Sequence, residues 1–498
     1  MGIIKKDALR TMVLSYLGLI LGYLNRGVFF ILFLTSTQIG LINLIVSVGL
    51  LFAQCANLGT VYAVWKFFPF FRNKEKNNHG FLLLTSIIVS LGVLLFVCIA
   101  VLFKDAINIH YQEKSKEFVQ YYYWIIPIGI GNVFFLLFDN YLRGMYKNII
   151  GVLSNEIITR LITLFLLLLY GIHFISFEIF LTLHFIVYFI PAIILLFYLL
   201  KKNEIQFSIK SIQIPKRFKK IILAFSLYNY LNSLGALVVV TLDSLMIASY
   251  IGLKETGIYT QIIFLTSALM IPYRSIVRVG SPLVSVYWKN KDMFKMKELY
   301  QKISSVSLFI ALFLFLLIWM NINDLFSFLP KEYTIGKWVF LFLMIGKMLD
   351  MYFGINGVIF LTSKKYKFDI IFTIVLIAVV YLLNLIFIPK YGIIGTAIST
   401  SISFVIYNIG RLLFVYFAYK IHPFTIKQVY LILVFVLTLF SYYLIFPLTS
   451  NPIFNIFIQS CYLLFTFCFT LYFFDLEPNT KEYLHNAISS IKKKITEK

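Results

Sequence analysis

Residues 81–103 have the sequence FLLLTSIIVSLGVLLFVCIAVLF, which contains no charged side chain. A helix needs about 20 predominantly apolar residues to cross the hydrocarbon core of a bilayer, so this stretch can span it alone. Similar stretches recur along the 498-residue chain, which is 60% hydrophobic and only 13% charged. A transmembrane barrel would instead show alternating segments of about 10 residues, and the sequence does not alternate in this way. We therefore expect an all-α polytopic membrane protein.

The apolar segments before and after this stretch, together with it, predict about 14 transmembrane helices. The predicted spans are 10–34, 39–64, 81–103, 120–142, 150–171, 177–200, 220–247, 255–280, 303–322, 336–362, 369–388, 393–418, 429–449 and 453–474. An even number of spans places both termini on the same side of the membrane.

The distribution of basic residues orients these spans. The net charge is +23, which in a soluble protein would be typical of nucleic-acid binding. Here the segments between and beyond the predicted spans carry 29 of the 44 Lys and Arg residues on one side of the membrane and six on the opposite side. Because basic loops stay in the cytoplasm, both termini are predicted to be cytoplasmic, in the bacterial inner membrane. The surplus charge then faces anionic lipid headgroups, and no nucleic-acid partner is expected.

The chain also shows an internal repeat. Basic loops follow the second and the fourth helix of each half, and the helix lengths agree between the halves. Two six-helix lobes in parallel pseudo-repeat are a known transporter plan, with the substrate path between them. The predicted organisation is an N-terminal lobe at 1–200, a cytoplasmic linker at 201–217, a C-terminal lobe at 218–420, two extra helices at 421–474 and a basic cytoplasmic tail at 475–498.

Charged residues inside the spans are the candidates for function, because each costs about 2.5–3.5 kcal/mol at a helix centre on insertion scales. Arg26 lies past the middle of helix 1, too far from the cytoplasm to reach it. It either lines a central cavity or pairs with a neighbouring helix. Arg274 and Arg278 share one face of helix 8. Pro272 is expected to break or bend that helix, and Pro282 to do the same further along.

Three further sites have simpler explanations. Glu156 and Arg160 are four residues apart, which favours a pair within one helix. Lys347 and Asp350 invite the same explanation. Arg411 lies in the cytoplasmic half of helix 12, where it either snorkels to the surface or faces the cavity. We keep Arg160 and Arg411 among the candidate substrate-binding cations.

Asp243, near the outer end of helix 7, could bind a proton or Na⁺ for coupling or act as a structural pairing residue, and Asp350 has the same two interpretations. Cations outnumber acids within the spans, so the cavity is expected to bind an anion such as a pyrophosphate. We expect neither catalytic residues nor a metal site, because no motif for either is present.

Three segments resemble the polysaccharide flippases that transport O-antigen and capsule repeat units. They belong to the multidrug/oligosaccharidyl-lipid/polysaccharide exporter superfamily. The segments are 39–44 (IGLINL) with NLGT at 57–60 and FFP at 67–69, then DSLMI at 243–247 with Gly252 and GIY at 257–259, and PKYGIIGTAIST at 389–400. The resemblance covers essentially the whole chain.

The resemblance implies a transporter rather than an enzyme. It implies flipping of an undecaprenyl-pyrophosphate-linked glycan to the outer leaflet by alternating access, for O-antigen, capsule or lipopolysaccharide synthesis. Arg26 would bind the pyrophosphate, and a H⁺ or Na⁺ gradient would replace any cofactor. We expect a monomer near the glycan polymerase machinery. Alternatives are a cation-coupled multidrug antiporter of the same superfamily, a multi-span polysaccharide polymerase and an integral scaffold.

Overall fold

The computed structural model describes residues 2–73, 77–204, 216–445 and 451–474. All regular secondary structure in these ranges is helical, which confirms the predicted all-α class. Most of the predicted linker, at 205–215, and the basic tail at 475–498 lie outside the described residues.

The helices follow one another with short connections. The α-helices are α1 Gly2–Tyr23, α2 Phe30–Phe33, α3 Ser36–Ala56, α4 Thr60–Phe71, α5 Phe81–Leu102, α6 Lys104–Tyr111, α7 Lys116–Gln120, α8 Ile125–Gly144, α9 Asn148–Val152, α10 Thr159–Gly171, α11 Phe177–Ile186, α12 Ile190–Lys201, α13 Lys216–Tyr250, α14 Leu253–Ala268, α15 Ile271–Asn290, α16 Met293–Met320, α17 Ile322–Ser327, α18 Gly336–Phe353, α19 Asn356–Thr362, α20 Asp369–Tyr419, α21 Ile426–Ile445 and α22 Pro452–Phe474. Two π-helical turns occupy Leu24–Phe29 and Leu153–Ile158, and 3₁₀ turns occupy Asn77–Gly80, Tyr122–Trp124, Val187–Phe189, Lys331–Ile335 and Tyr366–Phe368.

Many of these helices have the length and apolar character of membrane spans. Within the described ranges ten qualify, or up to twelve if each of two sharply bent helix pairs counts as one span. The 51-residue α20 is interrupted at Gly392, whose φ of 60° and ψ of −138° are not helical. This residue lies between the predicted spans 369–388 and 393–418. The total of fourteen spans stays a prediction.

The first bent pair confirms one expectation and corrects another. α14 and α15 meet at 48°. Pro272 lies in the first turn of α15, where a backbone N–H would have no partner within the helix, so the N–H that proline lacks costs no hydrogen bond. The predicted break at Pro272 is therefore present. α15 continues through Pro282, so the helix does not break there.

The second bent pair is α18 and α19, which meet at 53°. Gly354 has φ +60° at this bend, and a Cβ there would lie 2.8 Å from Ser304 Oγ, so glycine is required for both reasons. The Tyr273 hydroxyl donates to the Gly354 carbonyl at 2.7 Å. The residue after Pro272 thus satisfies a carbonyl that the bend in α18–α19 would leave free.

The chain packs into two compact units. Unit 1 comprises Met1–Gln261 with Val380–Thr396, and unit 2 comprises Ile262–Val379 with Ala397–Lys498. This division by packing differs from the predicted lobes, whose boundaries stay a prediction.

Each unit has its own apolar core. Unit 1 contains two large clusters, one centred on residues such as Phe68, Phe138 and Tyr141 and one on residues such as Ile42, Phe118 and Phe180. Unit 2 contains a cluster around residues such as Tyr300 and Phe360. These cores are formed largely by side chains that face neighbouring helices, whereas many other large apolar side chains remain exposed, as a lipid-facing surface requires.

Candidate functional site

Arg26 lies within the π-helical turn Leu24–Phe29 of the first membrane helix. In this turn the backbone N–H of Phe30 donates to the carbonyl of Asn25 rather than to that of Arg26. The Arg26 carbonyl instead accepts a hydrogen bond from Gln261 Nε2 at 3.2 Å. Such π turns are rare and occur frequently at functional sites. The hydrogen bond from Gln261 therefore helps to fix the shape of this turn, which the periodicity of apolar residues in the sequence does not predict.

The neighbouring Asn25 ties the same turn to α10. Its side chain is buried and donates to the backbone carbonyl of Arg160 at 2.8 Å. The backbone around Arg26 is thus held from two sides, by Gln261 on α14 and through Asn25 by α10. A cation on such a support is positioned before any ligand arrives, which lowers the cost of binding.

The Arg26 guanidinium itself has a neutral partner. It hydrogen-bonds the hydroxyl of Tyr188, which lies in the 3₁₀ turn after α11. Among the described residues no carboxylate lies within ion-pair distance of Arg26, and its side chain is half-buried. Because one hydroxyl satisfies little of a guanidinium's five-donor capacity, Arg26 keeps donors and full charge for an anion.

Arg160 is the opposite case. It forms an ion pair with Glu156 one turn before it, which confirms the predicted pairing within the helix. Its Nη1 also donates to the carbonyl of Gly18 on α1. Gly18 and Gly22 make this approach possible, because a Cβ on Gly22 would lie 2.5 Å from Arg160 Nη1. This is the small-x-x-x-small packing typical of membrane helices.

Asp243 lies in a buried polar cluster of unit 1. Its two carboxylate oxygens accept hydrogen bonds from the Tyr259 hydroxyl at 2.8 Å and from Asn384 Nδ2 at 2.9 Å. All three side chains are almost fully buried. The Asn384 amide oxygen is buried and has no hydrogen-bond partner among the described residues. Both predicted roles of Asp243, structural pairing and cation binding, fit this arrangement.

In unit 2 the predicted cations Arg274 and Arg278 lie on α15, just after the bend, and both are exposed. Neither has an ion-pair partner among the described residues. Exposure without a partner is compatible with a cavity wall and with a headgroup-facing surface. Their substrate-binding role stays a prediction.

The expected pair of Lys347 and Asp350 is not formed directly. Lys347 Nζ donates to the Ser267 hydroxyl at 3.0 Å, and Asp350 accepts from Asn408 Nδ2 at 3.0 Å. In the described structure the two charged groups are not within ion-pair distance. Three helices, α14, α18 and α20, are therefore joined by polar contacts that a spacing rule within one helix does not predict.

Arg411 is not a snorkelling residue. Its Nε donates to Asp369 Oδ1 at 2.9 Å, and Nη2 reaches the same carboxylate. The guanidinium also lies over the Tyr407 ring, 4.2 Å from the centroid. Its side chain is only 12% exposed and that of Asp369 only 1%. Its positive charge is therefore balanced inside unit 2.

Several of these partners could not be found from the sequence. Tyr188, Gln261 and Asn384 are single polar residues in apolar segments, distant in sequence from the charges they contact. Asp369 is the first residue of a predicted span, where carboxylates are common at the membrane surface. Its pairing with Arg411 becomes visible only in the folded structure. Within the described residues no group of three or more His, Cys, Asp or Glu gathers where a metal ion could bind.

Solved structures share this architecture. The lipid II flippase MurJ in an inward closed conformation matches with a TM-score of 0.72 at 17% identity, over 94% of this chain and 99% of that one. An inward-facing multidrug resistance MATE family transporter of the MOP superfamily matches at 0.63 and 14% identity, over 80% and 94%. The chain has the fold of a MOP-superfamily transporter.

A third MOP-superfamily transporter, from Pyrococcus furiosus and described by the reversed polarity of its binding pocket, matches at 0.57 and 14% identity, over 84% and 96%. All three are named as a flippase or a transporter. No family model and no curated protein matches the sequence. At these identities the likeness establishes the MOP fold and leaves the cargo to be argued from the residues.

Proposed function

We propose that this MOP-fold transporter flips a lipid-linked oligosaccharide, attached through phosphate or pyrophosphate, from the cytoplasmic to the outer leaflet by alternating access. The product would serve surface polysaccharide synthesis, such as O-antigen, capsule or lipopolysaccharide. The proposal places the protein in a bacterial inner membrane with both termini cytoplasmic, working as a monomer near the glycan polymerase. A H⁺ or Na⁺ gradient would drive the cycle.

The observation that carries this proposal is the state of Arg26. It is a half-buried cation in a membrane helix, its backbone is held by Gln261, and its side chain meets a hydroxyl rather than a carboxylate. An unneutralised buried cation is costly unless something compensates it. A phosphate or pyrophosphate is the anion that a guanidinium fork binds best.

The fold supports the same class of cargo. MurJ, which is named for flipping lipid II, matches nearly its whole length to this chain. A flippase for a lipid-linked precursor must bind a negatively charged linkage between a lipid and a sugar. Arg26 supplies the charge for such a linkage, and the arginines Arg274 and Arg278 are further candidate contacts.

A multidrug antiporter is the alternative that the MATE match keeps open. Binding of a cationic drug would call for a carboxylate that is free to meet it. In the described part of unit 1, the buried carboxylate of Asp243 is instead bonded by Tyr259 and Asn384, and that of Glu156 is paired with Arg160. The balance of available charge therefore favours an anionic cargo.

The experiment measures flipping in proteoliposomes with a fluorescent undecaprenyl-pyrophosphate-linked sugar. We expect Arg26→Ala to reduce flipping at least tenfold and Arg26→Lys to keep part of it, because a lysine restores the charge without the fork. Arg72→Ala, at an exposed arginine just after α4, controls for loss of a positive charge and should behave as wild type.

In cells, deletion of the gene should cause lipid-linked repeat units to accumulate on the cytoplasmic leaflet. Normal surface glycan without accumulation would exclude the proposed cargo. Full activity of Arg26→Ala would assign Arg26 a structural role. Ion-coupled export of organic cations by the purified protein would instead establish the antiporter.

A further inference from the structure

His184 on α11 lies in a cage of aromatic rings. Its imidazole stacks on Phe180, with 5.7 Å between ring centroids and 16° between the planes. Phe30 and Tyr188 meet it edge-on at 6.1 and 5.8 Å, and Phe185 lies 6.1 Å away. Only 5% of the residue is exposed. The cage therefore separates the imidazole from bulk water.

Neither ring nitrogen of His184 has a hydrogen-bond partner among the described residues. A buried polar group left in this state costs about 1–3 kcal/mol. A phenylalanine would fill the same flat space without that cost. Among the buried side chains of the described residues that lack a partner, His184 is the one that leaves two polar atoms without a hydrogen bond rather than one. A role in function therefore explains it better than packing does.

One charge that acts on this imidazole is that of Arg26. The guanidinium acts electrostatically on His184 and hydrogen-bonds Tyr188, four residues further along. From α10, Tyr170 lies against Phe180 with 5.5 Å between ring centroids. The Tyr170 hydroxyl accepts a hydrogen bond from Gln38.

Other ionisable groups near the cage are balanced or distant. Glu156 and Arg160 neutralise each other. On α8, Gly131 packs against the Tyr188 backbone, whereas the first carboxylate of α8, Asp139, comes eight residues later, about 12 Å along the helix. Among the described residues, the charge that a ligand could change beside His184 is thus that of Arg26.

We propose that His184 is a proton-binding site linked to anion binding at Arg26, so that the cargo and one proton bind together. The inference rests on the proposed anionic cargo. Burial in the cage opposes an imidazolium most strongly, and the unneutralised charge of Arg26 opposes it further. An anion on Arg26 removes that second opposition and itself attracts the imidazolium. The face of Phe180, which stacks on the imidazole, then stabilises the imidazolium as a cation. The proton comes from water on the side where the cargo binds and returns to water on the side where the cargo leaves. Because it moves outward with the cargo, it does not drive the cycle, and the driving gradient would be that of Na⁺.

The test is the pH dependence of cargo binding by the purified full-length protein. The probe is an undecaprenyl-pyrophosphate-linked sugar, a pyrophosphate diester whose own charge stays constant between pH 5.5 and 8. We expect wild type to bind it about tenfold more tightly at pH 5.5 than at pH 8, within the limit set by linkage to one proton. The His184→Phe variant keeps the cage filled, and its affinity should not change with pH.

A direct measurement supplies the second test and needs no variant. Wild-type protein mixed with the probe in weakly buffered solution at pH 7 should take up about half a proton per probe bound, the value that a tenfold change over this pH range implies, as reported by a pH indicator. The neutral alcohol undecaprenol should cause no uptake. Wild-type binding without uptake and without pH dependence would overturn the role of His184 and leave the flippase proposal standing. Unchanged probe affinity in Arg26→Ala would remove Arg26 from the binding site, and failure of the wild type to bind the probe at either pH would overturn the cargo proposal itself.

Discussion

The two π-helical turns of unit 1 contain or adjoin an arginine in a membrane helix, yet their arginines differ in availability. Arg26, in the turn Leu24–Phe29, contacts a neutral hydroxyl. Arg160 follows the turn Leu153–Ile158 and is bound by a carboxylate and a backbone carbonyl. Residue type and position along a helix do not separate them. The difference shows that the partner across the helix interface decides which buried cation is left for a ligand.

The largest effect is expected from a substitution that forces the two π-helical turns apart. Gly18 faces Glu156, and a Cβ there would lie 2.8 Å from the Glu156 carbonyl oxygen, a backbone atom that cannot move freely. Overpacking of this kind costs about 1–3 kcal/mol. We expect Gly18→Ala to lower the melting temperature clearly and to reduce flipping, because α1 also carries the turn that holds Arg26.

Gly22→Ala is the matched control. The same Cβ there meets the tip of the Arg160 side chain, which can rotate away, and alanine raises helix propensity by about 1 kcal/mol relative to glycine. Because a shift of Arg160 weakens its contacts with Gly18 and Glu156 while alanine favours the helix, the melting temperature of this variant should stay close to that of wild type and well above that of Gly18→Ala. Equal losses in both variants would mean that the backbone contact at Gly18 is not what holds α1 against the second turn.

A smaller loss of stability is expected when Arg160 is left without a carboxylate partner, as Arg26 is among the described residues. Glu156→Gln keeps the shape of the side chain and removes the charge that neutralises Arg160. Both side chains are about 30% exposed, so we expect a loss of about 1–2 kcal/mol, between the values for exposed and for buried pairs. Thermal unfolding in detergent measures it.

The double variant Glu156→Gln/Arg160→Gln tests the cause of that loss. If an unpaired charge destabilises Glu156→Gln, removing Arg160 as well should restore part of the melting temperature, as a double-mutant cycle detects. A double variant less stable than either single one would show that Arg160 contributes through Gly18 rather than through Glu156.

The sequence predicts those features that depend on near neighbours in the chain. The all-α class, the break at Pro272 and the Glu156–Arg160 pair follow from composition and from residues within one helical turn. The π turns do not follow, because they arise when contacts between helices displace a backbone bond, as Gln261 and Asn25 show at Arg26.

The partners of the buried charges also cannot be predicted from residue spacing within one helix. Arg411 and Asp369 lie 42 residues apart and Asp243 and Asn384 lie 141 apart, so only the fold brings them together. Lys347 and Asp350 show the converse. Their spacing on one helix would allow an ion pair, but Lys347 instead hydrogen-bonds Ser267 and Asp350 hydrogen-bonds Asn408, both on neighbouring helices. Spacing is therefore a guide to charge pairs only where no other polar side chain reaches them.

The smallest expected effect comes from Tyr188→Phe, which removes a hydroxyl that the Arg26 guanidinium contacts. A hydrogen bond of this kind contributes about 0.5–1.5 kcal/mol, so the affinity should change only a few-fold. In the wild type an incoming anion has to displace the hydroxyl, and in the variant it does not. We therefore expect the variant to bind the pyrophosphate-linked probe about threefold more tightly, by titration in detergent at pH 7. Weaker binding would show that the hydroxyl donates to the anion, so that Tyr188 belongs to the binding site with Arg26 instead of occupying it in the anion's absence.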